Sequence, residues 1–282
     1  MEEGILYKYL DVEGGAAMLY NGNLMFTNAT QLNDPFECHP SLIDYSNAPS
    51  EVVGPWNQKT IENLEVNHAE QLRNGTWVCS LSYVCRSILM WTFYAKNHQG
   101  VCIGIDMKKA EKYLDRVTGL FVGCPQIDVN YKELVERPDG FRDKLDFFTY
   151  QLGTKAKEWE YEQEARLICV NPSPMFMKLL QEEKKTRRCE VICEKICNAI
   201  NIIKSIFGKN MDVPAPIDWR TIHAFADLGG ECFHSLRLGV NIDKNKREKM
   251  IRVARQLNPE IKIYQMTIAP EAFRLKEEII ES

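Results

Sequence analysis

The chain has 282 residues, of which 45% are apolar and 26% charged, a balance that suits a soluble globular protein of one large or two smaller domains. A formal charge of −4 and a pI near 5.8 argue against a general nucleic-acid or anionic-membrane binder. No apolar run approaches the ~18 residues needed to span a bilayer. The acidic start, Met1-Glu2-Glu3-Gly4, lacks the positive charge and apolar stretch of a leader, so a cytoplasmic location is expected.

Leu6 to Leu10 reads as a short strand. Asp11 caps a helix through Tyr20 that Asn21-Gly22 stops, although the Gly14-Gly15 pair weakens it. Leu24 to Thr27 returns as a strand. Residues 28–57 form a long loop around Asn33-Asp34-Pro35, and loops of this length are often functional. Ile61, Leu64 and Leu72 mark a helix ending at Asn74-Gly75, and Trp77 to Tyr83 a strand. Ser87 caps a helix carrying Met90, Trp91 and Tyr94 that ends near Gly100. Val101 to Ile105 is strand-like, a helix follows at about 107–115, and strands fall near 117–123 and 127–131. Residues 139–157 read as a helix.

The next run, Trp159 to Arg166, leads into the branched apolar Leu167 to Val170 and reads as a strand. Alternation would then place Glu160, Glu162, Glu164 and Arg166 on one face and Trp159, Tyr161, Gln163 and Ala165 on the other. Three carboxylates in a row repel unless something cationic or polar covers them. This stretch concentrates more potential chemistry than any other.

Ser173-Pro174 starts a helix that runs toward Phe207, with a polar break at Gln181 to Arg188. Cys189, Cys193 and Cys197 recur every fourth residue beside Ile192, Ile196 and Ile200. That pattern suits a buried stripe better than a metal site, and the ten cysteines are expected to be reduced. Residues 217–238 suggest short strands around Gly229-Gly230. Asp243 caps a basic helix to about Leu257, and Ile261 to Thr267 closes the chain as a final strand. Many short strands with hairpin-length links indicate an α+β fold: an antiparallel or split sheet flanked by helices. One domain spanning 1–282, with a helical insertion near 173–210, is the expected organisation.

Several constellations could carry chemistry. Asn33, Asp34 and Glu37 lie in a turn that could rim a substrate pocket. Trp91, Tyr94 and His98 fall on one helical face and could stack on a planar ligand. Ser80 and Ser82 share a strand face and could orient a ligand or a carboxylate. The nucleophile elbow of a serine hydrolase, the Walker loop, the Rossmann glycine run and HExxH are all absent from the sequence. The basic stretch 244–255 leaves one local route to nucleic acid, but a solvated helix face is the plainer reading. Alternating acids could also chelate Mg²⁺ for nuclease work, although such sites usually draw on several segments, and no metal is expected.

Tyr7-Lys8-Tyr9, Asn33-Asp34-Pro35-Phe36-Glu37, Cys79 to Ser82, Met90-Trp91 through Tyr94 to Gly100, and Trp159 to Arg166 occur in this order. Together they resemble the DUF2971 family of uncharacterised bacterial proteins, clearly over residues 5 to about 170. A more distant likeness is to ADP-ribosyltransferases, which bind NAD in a split antiparallel sheet. Glu162-Gln163-Glu164 is similar to their Glu-x-Glu pattern, and Ser80-Leu81-Ser82 to their serine strand. That likeness implies NAD as substrate. Glu164 would stabilise an oxocarbenium-like centre, and Glu162 would orient an accepting nucleophile on a macromolecule of unknown identity. Lys8 on the first strand would face the pyrophosphate, Ser80 or Ser82 would position the ribose or Glu164, Trp91 or Tyr94 would stack on the nicotinamide, and Tyr9 and His98 would complete the NAD site. It also implies a toxin or defence effector. The first strand carries Lys8 where that family has Arg or His. This departure motivates the alternative, a non-enzymatic module that binds a ligand or partner.

Overall fold

In the computed structural model, residues 2–47, 66, 69–70, 72–114, 124–170 and 223–280 are described. The branched and aromatic runs form strands: β1 (Ile5–Leu10), β2 (Asn23–Asn28), β3 (Thr76–Ser82) and β4 (Val101–Asp106). Further along are β5 (Gln126–Asp128), β6 (Asn130–Lys132), β7 (Thr154–Ala156), β8 (Glu164–Val170) and β9 (Ala224–Asp227). The last three are β10 (Phe233–Leu238), β11 (Lys262–Ile268) and β12 (Leu275–Ile279). Between them lie α1 (Val12–Asn21), α2 (Ile88–Phe93), α3 (Met107–Leu114), α4 (Phe147–Gly153) and α5 (Lys244–Leu257).

Ten strands form one sheet, in the order β12-β11-β10-β4-β1-β3-β2-β9, with β8 on β3 and β5 on β8. All its pairings are antiparallel except β10 with β11. The α+β expectation therefore holds. β3 organises the site. Along one edge it pairs with β8 for its whole length, from Thr76↔Val170 to Ser82↔Glu164. Its other edge is shared: β1 meets it at Ser82, and β2 meets it at Val78 and Trp77. Between these contacts the sheet splits. Lys8 of β1 reaches across, its Nζ donating to the Ser80 carbonyl at 2.8 Å.

Strand alternation sorts the two faces. Leu6, Trp77, Cys79, Leu81, Ile103 and Leu167 point to a core shared with Leu19 of α1, Ala110 of α3 and Met250 of α5. Tyr7, Tyr9, Ser80, Ser82, Glu164 and Arg166 occupy the opposite face, under α2, α4 and the segment after β2. α1 forms despite Gly14-Gly15, because Asp11 accepts from the Gly14 amide at 2.7 Å and Gly22 closes the helix in the left-handed region at φ 63. Gly15 is required by packing: a Cβ there would lie 2.4 Å from Val101 Cγ2. Gly15→Ala is therefore expected to destabilise by about 1–3 kcal/mol through overpacking, outweighing the ~1 kcal/mol of helix propensity it gains. A urea midpoint that rises in this variant would contradict the close approach.

Four expected elements differ. The Trp159–Arg166 strand is instead a 3-10 helix over Lys157–Glu162, with Gln163 in the left-handed region at φ 41, and β8 begins only at Glu164. The reason is the lack of a partner. The β3 ladder ends at Ser82↔Glu164, followed only by the Tyr83 amide donating to the Gln163 carbonyl at 2.9 Å, and among the described residues no strand pairs with residues 157–162. The helix expected over 139–157 is confined to α4, since Thr154–Ala156 pairs instead with Asn130–Lys132. The helix after Ser87 stops at Phe93, and Lys96, Asn97 and His98 all have positive φ. β11 is not the last strand, because β12 pairs with it at the sheet edge. The expected insertion at 173–210, its cysteine stripe and the strand near 117–123 lie outside the described residues.

Candidate functional site

A cleft of about 310 Å³ opens over the split of the sheet. Lys8, Tyr9, Asn33, Glu37, Ser80, Ser82, Tyr94, Glu162 and Glu164 all line it, so five separate segments bring their expected site residues together. Asp34, Trp91 and His98 do not line it. Asp34 is buried, and its Oδ1 accepts from the Phe36 amide at 2.9 Å, which makes it a turn former. Trp91 is fully buried (0% exposed), its indole donating to the Cys85 carbonyl at 2.9 Å and its ring edge-on to Tyr9 at 5.4 Å. It cannot stack on a ligand. His98 lies parallel to Trp91 at 6.4 Å and bonds Thr92, so Trp91 and His98 pack against each other away from the cleft. Burial pulls the His98 pKa below its ordinary value.

The cleft floor is a buried ion network of three carboxylates and two cations. Arg166 forks onto Glu164, with Nε to Oε1 and Nη2 to Oε2 both at 2.9 Å. It also donates to Glu37 at 2.7 Å and to the Leu152 carbonyl at 2.8 Å. Lys155 contacts Glu162 at 2.5 Å and Glu164 and Glu37 at 3.2 Å each. Bidentate guanidinium–carboxylate geometry is among the strongest of charge-assisted bonds. Gln163, in the left-handed region at φ 41, joins the 3-10 helix that ends at Glu162 to β8, which begins at Glu164. Tyr94 donates to Glu162 Oε1 at 2.5 Å and accepts from Asn33 at 3.1 Å. Glu160 takes no part: it is exposed and pairs with Lys157 at 2.7 Å.

The two neighbouring acids are driven apart electrostatically. Burial raises the Glu162 pKa, and the opposing Lys155 charge and the Lys155 and Tyr94 hydrogen bonds do not cancel that rise. Burial acts on Glu164 in the same sense, but Arg166 and Lys155 outweigh it and hold the carboxyl at about 2. For Lys155, burial disfavours the charge, yet Glu164, Glu37 and Glu162 prevail and keep it ionised above its ordinary range. The sign for stability follows from linkage. Glu164 has a depressed folded pKa, so its contribution is complete above its ordinary 4.5 and is lost as pH falls toward about 2. Glu162 acts oppositely, favouring the fold while protonated. A urea midpoint that falls steadily with acidification from about pH 5 to pH 3 is expected, because the unfolded chain takes up the Glu164 proton before the folded one does. A flat profile would contradict it.

Lys155 is the residue that sequence reading missed, because it fell inside the apparent helix over 139–157. Charge balance was the available signal: three clustered acids and one arginine call for a second cation. Among the described residues, no group of three or more His, Cys, Asp or Glu is arranged to hold a metal ion. None of the described helices is long and apolar enough to cross a membrane. In α5, Met250 and Ala254 are buried while Lys246 pairs with Glu13, so the basic stretch includes a solvated face.

Residues 90–167 match the family model described as a protein of unknown function, DUF2971. The matched segment runs from α2 into β8 and carries Tyr94, Lys155, Glu162, Glu164 and Arg166, though not Lys8, Ser80 or Glu37. No curated protein and no solved structure matches the chain. None of these comparisons supports the ADP-ribosyltransferase likeness.

Proposed function

We propose that the split-sheet cleft is an enzyme site acting on the N-glycosidic bond of a nucleotide, with NAD as the first candidate substrate. The carrying observation is the gathering of Lys8, Ser80, Tyr94, Glu162 and Glu164 in one cleft from distant segments. Paired carboxylates whose environments separate their pKa values are a recurring basis of acid–base assignment. Glu164, held ionised, supplies fixed negative charge as the C–N bond breaks and its electron pair leaves with nicotinamide. Glu162 accepts the proton of the oxygen nucleophile that bonds to the same carbon. Lys8 and Ser80 face the sugar-phosphate side. Transfer to a macromolecule would suit a toxin or defence effector, whereas transfer to water would be plain hydrolysis.

One observation favours the second reading, a non-enzymatic binding module. Both Glu164 oxygens are taken by Arg166 and Lys155, and Lys8 is tied to the Ser80 carbonyl. Labelled NAD separates the two. The enzyme reading expects release of nicotinamide by the wild type and retained binding without release by Glu162→Gln. Neither binding nor release by the wild type at millimolar NAD would end the enzyme reading.

A further inference from the structure

A second cleft, of about 650 Å³, lies beside the first and shares Tyr7 with it. The chain enters both at two places: Ser82 and Glu162 face the first, and their neighbours Tyr83 and Gln163 line the second. The functional reading above makes no use of it. Its distinctive group is Arg237, which is 2% exposed. The guanidinium is sandwiched between the rings of Tyr7 and Tyr264, each centroid 4.8 Å from its central carbon. Cation–π contact on both faces fixes its plane and leaves only its edges to donate. Nε donates to Glu277 at 2.9 Å and Nη1 to Ser235 at 2.6 Å. Among the hydrogen bonds of the described residues, Nη2 has none, so one edge of a buried, oriented guanidinium is unspent at the cleft.

Arg86 stands at the same wall, with its side chain 64% exposed and its Nε 3.4 Å from the same Glu277 oxygen. Glu2 and Glu277 balance the two arginines in the lining, so bulk charge does not attract an anion here. Recognition must instead come from directed donors. Tyr7, Tyr83 and Tyr161 supply aromatic wall, and the volume exceeds what a bare inorganic anion would fill.

We propose that this second cleft is a nucleotide subsite, in which Arg237 and Arg86 hold a phosphate and the tyrosines pack against the base. It deepens the NAD reading, because a ligand spanning both clefts would place its reacting sugar over Glu162 and its remaining nucleotide here.

The test is calorimetric titration of the full chain with AMP, inorganic phosphate and NAD. AMP is expected to bind the wild type more tightly than phosphate does. Arg86→Ala, an exposed site that spares the fold, is expected to weaken AMP at least ~10-fold, the usual scale for losing a charged hydrogen bond. Glu162→Gln should leave AMP binding unchanged. Failure of AMP to bind at millimolar concentration, or equal binding by Arg86→Ala, would overturn the subsite. Phosphate binding as tight as AMP would overturn the role of the tyrosines. AMP binding without NAD turnover would refute the enzyme reading and leave the subsite standing.

Discussion

Replacing Arg166 by Met is expected to destabilise the protein by about 3–5 kcal/mol, the usual consequence of removing one partner from a buried ion pair. Arg166 is 1% exposed and holds Glu164 through two nitrogens, Glu37 through one and the Leu152 carbonyl through another. Met fills much of the volume but leaves three carboxylates with Lys155 as the sole remaining cation of the network. One acid must then take up a proton or the cluster must open to water. Arg166→Lys should recover only part of the loss, since an ammonium cannot fork onto Glu164 while also reaching Leu152. Urea unfolding of the three proteins at neutral pH measures this. A loss below about 1 kcal/mol for Arg166→Met would mean the network is already hydrated and weakly coupled.

The second large effect is on turnover. Glu162→Gln keeps the shape of the side chain and a carbonyl oxygen to accept from Tyr94, while removing the proton-accepting charge. If Glu162 is the base, kcat for nicotinamide release should fall about 10²–10⁴-fold, the range typical of a lost general base. The wild-type rate should rise with pH as Glu162 loses its proton, along a limb displaced above its ordinary pKa of 4.5. That limb should vanish in Glu162→Gln. Tyr94→Phe removes a donor to the ionised carboxylate and should move the limb further upward. A Glu162→Gln enzyme with wild-type kcat and the same pH profile would exclude the role. The variant should fold, because Arg166, Glu164 and Glu37 remain paired beneath it.

Much of the fold was legible because it is written in local physics. Asp11, Ser87 and Asp243 announce helix starts through side chains that accept backbone amides, and each does so in the structure. The apolar and branched runs at Leu6, Trp77, Val101 and Leu167 become central strands with buried faces. The site was legible in part for the same reason: Ser80 and Ser82 share a face simply because strand residues alternate. The stripe of Trp91, Tyr94 and His98 misled, since it assumed a helix that continues past Phe93. Three successive residues with positive φ end it, and Trp91 turns inward while Tyr94 alone reaches the cleft.

The acidic stretch shows where local reading stops. By itself the sequence determined that Glu162, Glu164 and Arg166 lie close together along the chain, and that such a density of charge needs compensation. It could not determine that residues 157–162 coil rather than extend, because that depends on the β3 ladder ending at Ser82. Nor could it place Glu37 against both Lys155 and Arg166, contacts that bring together three separate segments. Tertiary structure decided the split between β1 and β2 on the edge of β3, and with it the cleft. Hydrogen-bond partners and counter-charges are supplied across the sheet, so which acid has its pKa lowered and which has it raised is settled only when the sheet is assembled.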